Sequence, residues 1–222
     1  MKKARSHPNF IGLEGCDGAG KTTLRQRIAR ELRRTAPDMI EIGQHSWRDV
    51  EAARVILGVR EQRMRYAPEV IEAAYRQDKR LHELYNVRPM LDRGIVLADR
   101  TIVSDAVYQE ALYGMDAAAA IRRYINEGFL FPGTLIYVFV DIETAVARIA
   151  QRGKHRRHYE REVDLRRISD IYMKTLPICE DLTGMRVVRF ENETGRMEAL
   201  FQALLHPVLD EISQTADYME IV

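Results

Sequence analysis

Residues Phe10–Leu24 read FIGLEGCDGAGKTTL. Within them Gly15-Cys16-Asp17-Gly18-Ala19-Gly20-Lys21-Thr22 completes a G-x-x-x-x-G-K-[ST] pattern. The short apolar run Phe10–Leu13 before it reads as a buried strand, and Thr22–Arg33 after it reads as a helix. That order of strand, glycine-rich loop and helix suits a phosphate chain. Closely spaced backbone N–H groups must face the phosphates, which bulky residues at Gly15, Gly18 and Gly20 would obstruct. The helix N-terminus adds a favourable field. Lys21 adds a mobile charge for the outer phosphates, and the Thr22 hydroxyl is a ligand for Mg²⁺. Gly15 through Thr23 are therefore the predicted contacts to a nucleoside triphosphate.

Working outward, the chain has 222 residues, 46% of them hydrophobic and 30% charged, with a formal net charge of +1. This fits one globular domain over 1–222. The balanced charge gives no global pointer to nucleic acid or to an anionic membrane. Two cysteines, Cys16 and Cys179, are too few for a disulfide framework and lack metal-ligand spacing, so a reduced, cytoplasmic setting is expected. Within the loop, Cys16 reads as a small filler. No apolar run is long enough to span a membrane, and the basic start MKKARSHPNF has no apolar segment behind it.

Along the chain, strands are expected at Phe10–Glu14, Met39–Ile42, Ile95–Ala98, Leu135–Val140 and Met185–Phe190. Residues 1–8 read as a loose lead-in, and Pro132-Gly133 as a turn. Helical patterns fill the intervals, including Asp49–Arg93 with a break near Ala67-Pro68, Ala106–Tyr113, Glu143–Gln151 and Glu193–Ile212. This alternation predicts an α/β fold with a five-stranded parallel sheet covered on both faces.

In such sheets ligands gather at the carboxyl ends of the strands. Asp99 closes the third strand and is a candidate Mg²⁺ contact. Arg100 follows it, able to grip a phosphoryl group by paired hydrogen bonds. Arg48, in the loop Gln44–Asp49 after the second strand, is a candidate substrate contact. Between Arg148 and Arg167 stand eight lysines and arginines against three acids. Arginines on a closing flap, at about 152–167, would neutralise charge gathered on a transferred group. Only Tyr159 is aromatic there, so a stacking platform for a nucleic acid polymer is unsupported.

From about Phe10 to Phe190 these elements resemble the thymidylate kinase family of nucleoside monophosphate kinases. The family's E-G-x-[DE]-G-x-G-K-T-T is similar to Glu14–Thr23, with its acid at Asp17. Its D-R-Y-x-x-S-x-x-A-Y-Q is similar to Asp99–Gln109, where Asp99, Arg100, Ser104, Tyr108 and Gln109 match. The resemblance implies a three-layer P-loop kinase fold with a basic lid, ATP with Mg²⁺ as donor, a nucleoside monophosphate acceptor and a homodimer. It implies that Asp17 contacts the acceptor sugar and Arg100 the acceptor phosphate, while Tyr108 and Gln109 line the sugar and base pocket and Ser104 is a further substrate contact. Gly18 stands where some members carry an arginine, so the catalytic arginine falls to Arg152, Arg156 or Arg157 in the lid.

The sequence also departs from the family. Gln44-His45-Ser46-Trp47-Arg48-Asp49 replaces R-E-P-G-G-T, and Thr101 replaces tyrosine. The F-x-A-x-R helix looks like Glu72–Arg76, with Arg76 matched and Glu72 in place of phenylalanine, unless a one-turn shift gives that role to Tyr75. A carboxylate facing a base favours amino-bearing edges. Trp47 is a second stacking candidate. The rival readings are a kinase of a nonstandard nucleotide or nucleoside, and an ATP-binding switch without acceptor phosphorylation.

Overall fold

The computed structural model describes residues 5–153, 157–193 and 195–219. Five strands form one parallel sheet: β1 (Arg5–Glu14), β2 (Ile40–Ile42), β3 (Val96–Asp99), β4 (Leu130–Phe139) and β5 (Arg186–Glu191), in the order β2-β3-β1-β4-β5. Helices α1 (Lys21–Thr35), α2 (Val50–Arg60), α3 (Pro68–His82), α4 (Arg88–Leu91), α5 (Ile102–Tyr113), α6 (Ala117–Asn126), α7 (Ile142–Gln151), α8 (Glu162–Thr183), α9 (Met197–Leu200) and α10 (His206–Met219) complete the chain. Single π-helical turns lead into α4 and α10.

Side chains alternate across β1 and β3, as strand geometry requires. Ile11, Leu13, Ile95 and Leu97 pack with Leu24 and Ile28 of α1 in the larger core. Phe10, Val96 and Ala98 meet Val87 and Leu91 on the other face. A separate small core, Val55, Ile56 and Val59 of α2 with Ile71 and Tyr75 of α3, holds these two helices together. None of the described helices is long and apolar enough to cross a membrane.

Three expectations need correction. Residues 5–8 are not a lead-in, because β1 begins at Arg5 and pairs with β4 from Leu130. Pro132-Gly133 is accordingly strand, not turn. Between the pairs His7↔Pro132 and Ile11↔Thr134 the register shifts, so β1 takes two residues more than β4. Such a bulge accommodates Pro8 and Pro132, neither of which can donate to the ladder. Gly133 lies so close to the His7 carbonyl that any Cβ would collide with it. Finally, the basic run is not one flap. From Glu162 onward it is α8, whose Arg161 and Arg166 pair with Asp164 and Glu162 on its surface.

Candidate active site

The loop between β1 and α1 is shaped by backbone that side chains rarely adopt. Gly15, Gly18 and Gly20 have φ of 141°, 84° and 89°. A Cβ at Gly15 would strike the Val138 carbonyl of β4, and one at Gly20 would strike the Asn192 amide. Asn192 in turn donates to the Ala19 carbonyl at 2.8 Å, and Arg148 donates to the Asn192 carbonyl at 3.0 Å. Gly20 is the N-cap of α1, offers no side-chain cap, and no acid occupies the first turn. The first N–H groups of α1 are thus left without an acidic neighbour at an anion-ready helix end. Cys16 is buried, and burial pushes its thiol up, so it stays protonated and acts as packing.

Lys21 is 8% exposed and turns back on its own loop, donating to the Gly15 carbonyl at 2.8 Å and the Cys16 carbonyl at 2.7 Å. Burial, then the Arg100 charge, lower its pKa to about 8, against the pull of Asp17. Asp17 lies 3.9 Å from Lys21, 2.7 Å from Arg100 and 3.8 Å from Arg157. Burial alone would raise its carboxyl, but those cations outweigh it and hold it at about 2. Asp17 is therefore ionised at any working pH and ties the phosphate loop to the arginine after β3.

Arg100 has φ 73°, a costly backbone for an arginine, and it is held there. Glu14, fully buried at the end of β1, accepts from the Thr101 N–H and hydroxyl, both at 2.7 Å, from the Tyr172 hydroxyl at 2.8 Å, and from Ser104. This carboxylate sits at the N-terminus of α5, whose cap is Thr101. It pins the segment that presents Arg100. The Arg100 guanidinium donates to Asp17, to Ser104 at 3.0 Å and to Tyr108 at 3.0 Å, and lies over the Tyr108 ring.

These groups face a cavity of about 570 Å³ lined by Asp17, Gly18, Gly20, Lys21, Thr22, Thr23, Gln44, Arg60, Asp99, Arg100, Arg148, Arg152, Arg157 and Glu160. Six cations oppose three acids there, an excess that suits a polyanion. Asp99 is on the wall but pairs with Arg25 at 3.1 Å. Thr22 and Asp99 supply oxygen donors only, and no cluster of three or more His, Cys, Asp or Glu among the described residues would enclose a metal by itself. That donor set fits Mg²⁺, which keeps its waters and takes most ligands from phosphates. Arg152 pairs with Glu160 at 2.7 Å, and Glu160 also accepts from the Arg157 N–H at 2.9 Å, so one buried acid shapes the 157–160 turn. Arg156 lies outside the described residues.

A narrower pocket adjoins this cavity through Gln44, Arg60, Arg100 and Arg157. Its other walls are His45, Tyr75, Asp105, Tyr108, Leu112 and Tyr159. Tyr159 packs edge-on against Tyr108, with ring centroids 5.6 Å apart, and helps keep the pocket to about 30 Å³. Asp78 of α3 organises the loop after β2. It accepts from His45, from the Ser46 N–H at 3.0 Å and from the Trp47 N–H at 3.1 Å. Asp105 is fully buried, accepts from Gln44 at 2.7 Å and lies 3.3 Å from Lys79. Burial raises it to about 6, with Lys79 and Gln44 opposing.

Several expected substrate residues are placed elsewhere. Glu72 does not face the pocket; it pairs closely with Arg123 and lies 4.0 Å from Arg76. Arg76 itself reaches Glu127 at 3.2 Å. Both belong to a charged seam between α3 and α6, and Tyr75 takes the pocket wall instead. Arg48 is exposed, turned over the Tyr85 ring at 4.8 Å. Trp47 is 45% exposed and lies tilted against His45, with ring centroids 4.5 Å apart, outside the pocket. Ser104 serves the Glu14 lock, and Gln109 is buried on α5 away from the pocket wall. Sequence reasoning missed Glu14 as a lock, Arg60, Asp105 and the loop residues Gln44 and His45. Only Asp105, a carboxylate set among the apolar residues Ile102, Val103, Ala106 and Val107 of α5, carried a signal that could have been read.

The sequence model of the thymidylate kinase family matches residues 13–185. A thymidylate kinase of Xylella fastidiosa is 27% identical over 207 residues, covering 90% of each chain. One from Leuconostoc mesenteroides is 30% identical over 176 residues, covering 75% of this chain and 81% of its own. The crystal structure of thymidylate kinase from Ehrlichia chaffeensis superposes with a TM-score of 0.60 at 18% identity, covering 90% of this chain and 96% of that one. With its phosphate loop, its parallel sheet and the Asp17–Arg100 pair in one cavity, this chain belongs to the thymidylate kinase family and is an ATP-dependent nucleoside monophosphate kinase.

Proposed function

We propose that the protein transfers the γ-phosphoryl group of ATP, with Mg²⁺, to dTMP or a closely related nucleoside monophosphate. The observation that carries this reading is the continuity of two spaces. The 570 Å³ cavity holds the phosphate loop, and the tyrosine-walled pocket opens from it past Arg60, Arg100 and Arg157. A donor phosphate chain on the loop and an acceptor in the pocket would meet between them.

In this arrangement the loop amides and Lys21 hold the donor phosphates. Thr22 and Asp99 would hold Mg²⁺, which would supply positive charge to offset that of the phosphates. Asp99 must release Arg25 to do so. Asp17 keeps Arg100 aimed, Arg100 orients the acceptor phosphate, and Arg152 and Arg157 neutralise charge on the transferred group. No strong general base is required, because a phosphate monoester already offers an ionised oxygen. Tyr75 and Tyr108 flank the base. Tyr159 must swing aside for it to enter, which makes the 157–160 turn the moving part. Homodimer formation, implied by the family, is part of this proposal and is read by light scattering.

Asp105 supports a second reading of the acceptor. A carboxylate at the pocket wall accepts N–H groups, so a base with an exocyclic amino group is a natural rival to thymine. The test is ADP release from ATP and Mg²⁺ against a panel of ribose and deoxyribose monophosphates, with nucleosides as controls. Preferred turnover of dTMP supports the first reading, and preference for an amino-bearing base supports the second. ATP binding without any phosphorylated product would overturn both.

A further inference from the structure

Arg60 is the last residue of α2 and borders three spaces at once: the phosphate-loop cavity, the acceptor pocket, and an outer hollow formed with Trp47, Gln62, Arg63 and Tyr159. It therefore stands at the junction where donor and acceptor meet. The neighbouring cations are already engaged. Arg100 donates to Asp17, Ser104 and Tyr108; Arg157 donates to Tyr159; Arg152 pairs with Glu160. Among the described residues the Arg60 side chain makes no hydrogen bond or ion pair, although it is only partly exposed. The loop after β2 supplies no arginine to the pocket, since Arg48 turns outward onto Tyr85.

A guanidinium with no counter-charge among the described residues, lining a cavity already rich in cations, keeps its donors free for an anion. Its planar fork matches two oxygens of a phosphate monoester. The small α2–α3 core holds the helix that carries it, so its approach is set by packing of Val55, Ile56 and Val59 and not by a free loop.

We propose that Arg60 is a direct ligand of the acceptor's phosphate, holding that group together with Arg100 where the two spaces that both residues line adjoin. This rests on the nucleoside monophosphate kinase reading and adds to it the residue that takes the place of a loop arginine.

The test uses Arg60→Ala and Arg60→Lys in the full chain, with Arg54→Ala as control on the solvent face of the same helix, where Arg54 pairs with Glu51. The probes are dTMP, thymidine and MgATP, by calorimetry and steady-state kinetics. Arg60→Ala is expected to weaken dTMP about tenfold to a hundredfold, lower kcat, and leave thymidine and MgATP affinity unchanged. Arg60→Lys should recover part of the loss, and Arg54→Ala should match the wild type. Unchanged dTMP binding and turnover in Arg60→Ala, or an equal loss for dTMP and thymidine, overturns the inference while wild-type turnover leaves the kinase reading intact. A wild type that neither binds nor phosphorylates dTMP overturns the inference as stated here, and the panel above then decides the kinase reading separately.

Discussion

The phosphate loop is one continuous stretch, residues 14–23, which alone supplies six of the fourteen residues lining the larger cavity, whereas the acceptor pocket is assembled from α2, α3, α5, the loop after β2 and the 157–160 turn. The loop works through backbone: three glycines with positive φ, open N–H groups at α1, and carbonyls that hold Lys21. The pocket works through side chains that must converge from afar. Backbone geometry depends on a short local pattern and tolerates little change. A convergent pocket tolerates exchange of its parts, because a wall or a charge can be supplied from another element. Tyr75 for a neighbouring position, and Arg60 where Arg48 turns away, are two such exchanges in this chain.

The comparison is broken most severely at Lys21. Lys21→Ala should lower kcat/KM roughly a thousandfold or more with the fold intact by circular dichroism. Near-normal turnover would mean that the loop does not carry the donor. Next comes the strut between the two halves. Glu14→Gln replaces an acceptor facing five donors by an amide that also donates. It should cost about 2–4 kcal/mol of stability in chemical denaturation and impair acceptor more than ATP binding. A selective loss of ATP binding would place the strut on the wrong side.

A pH profile sharpens the contrast further. The free-enzyme Lys21 loses its proton near pH 8, a value lowered chiefly by burial. The protonated form is the one that attracts phosphates. Below that pH kcat/KM for ATP should be flat, and above it should fall by about tenfold per unit. A flat profile to pH 9.5 would show that Lys21 keeps its charge or is not needed. The smallest effects belong to the charged seam and the outward loop. Glu72→Ala and Arg48→Ala should change acceptor KM by less than about twofold, because exposed pairs contribute little. A large change in base preference from Glu72→Ala would restore the role first expected for it.

These outcomes bear on what was readable beforehand. The strand, loop and helix of Phe10–Leu24 were legible because periodicity and glycine spacing are local. The Asp99–Arg100 pair was legible because it closes a buried strand. Glu72 was misplaced because a helix offers two candidate turns for one aromatic, and only packing against α6 decides between Glu72 and Tyr75. Pro132-Gly133 looked like a turn because its bulged partner, Pro8–Phe10, lies more than a hundred residues away in sequence. Arg60 had no motif around it. Its meaning comes from where α2 ends in space, which no local pattern records.

Lys21 has one more consequence. Its ammonium already satisfies two carbonyls of the loop that a nucleotide would use. Arrival of the triphosphate is then an exchange of partners and not a net gain of them, so the heat released should be modest for the number of contacts formed. Calorimetry at several temperatures would read this directly: a small favourable enthalpy for MgATP, with much of the affinity carried by the water and counter-ions set free from a crowded, positively charged cavity.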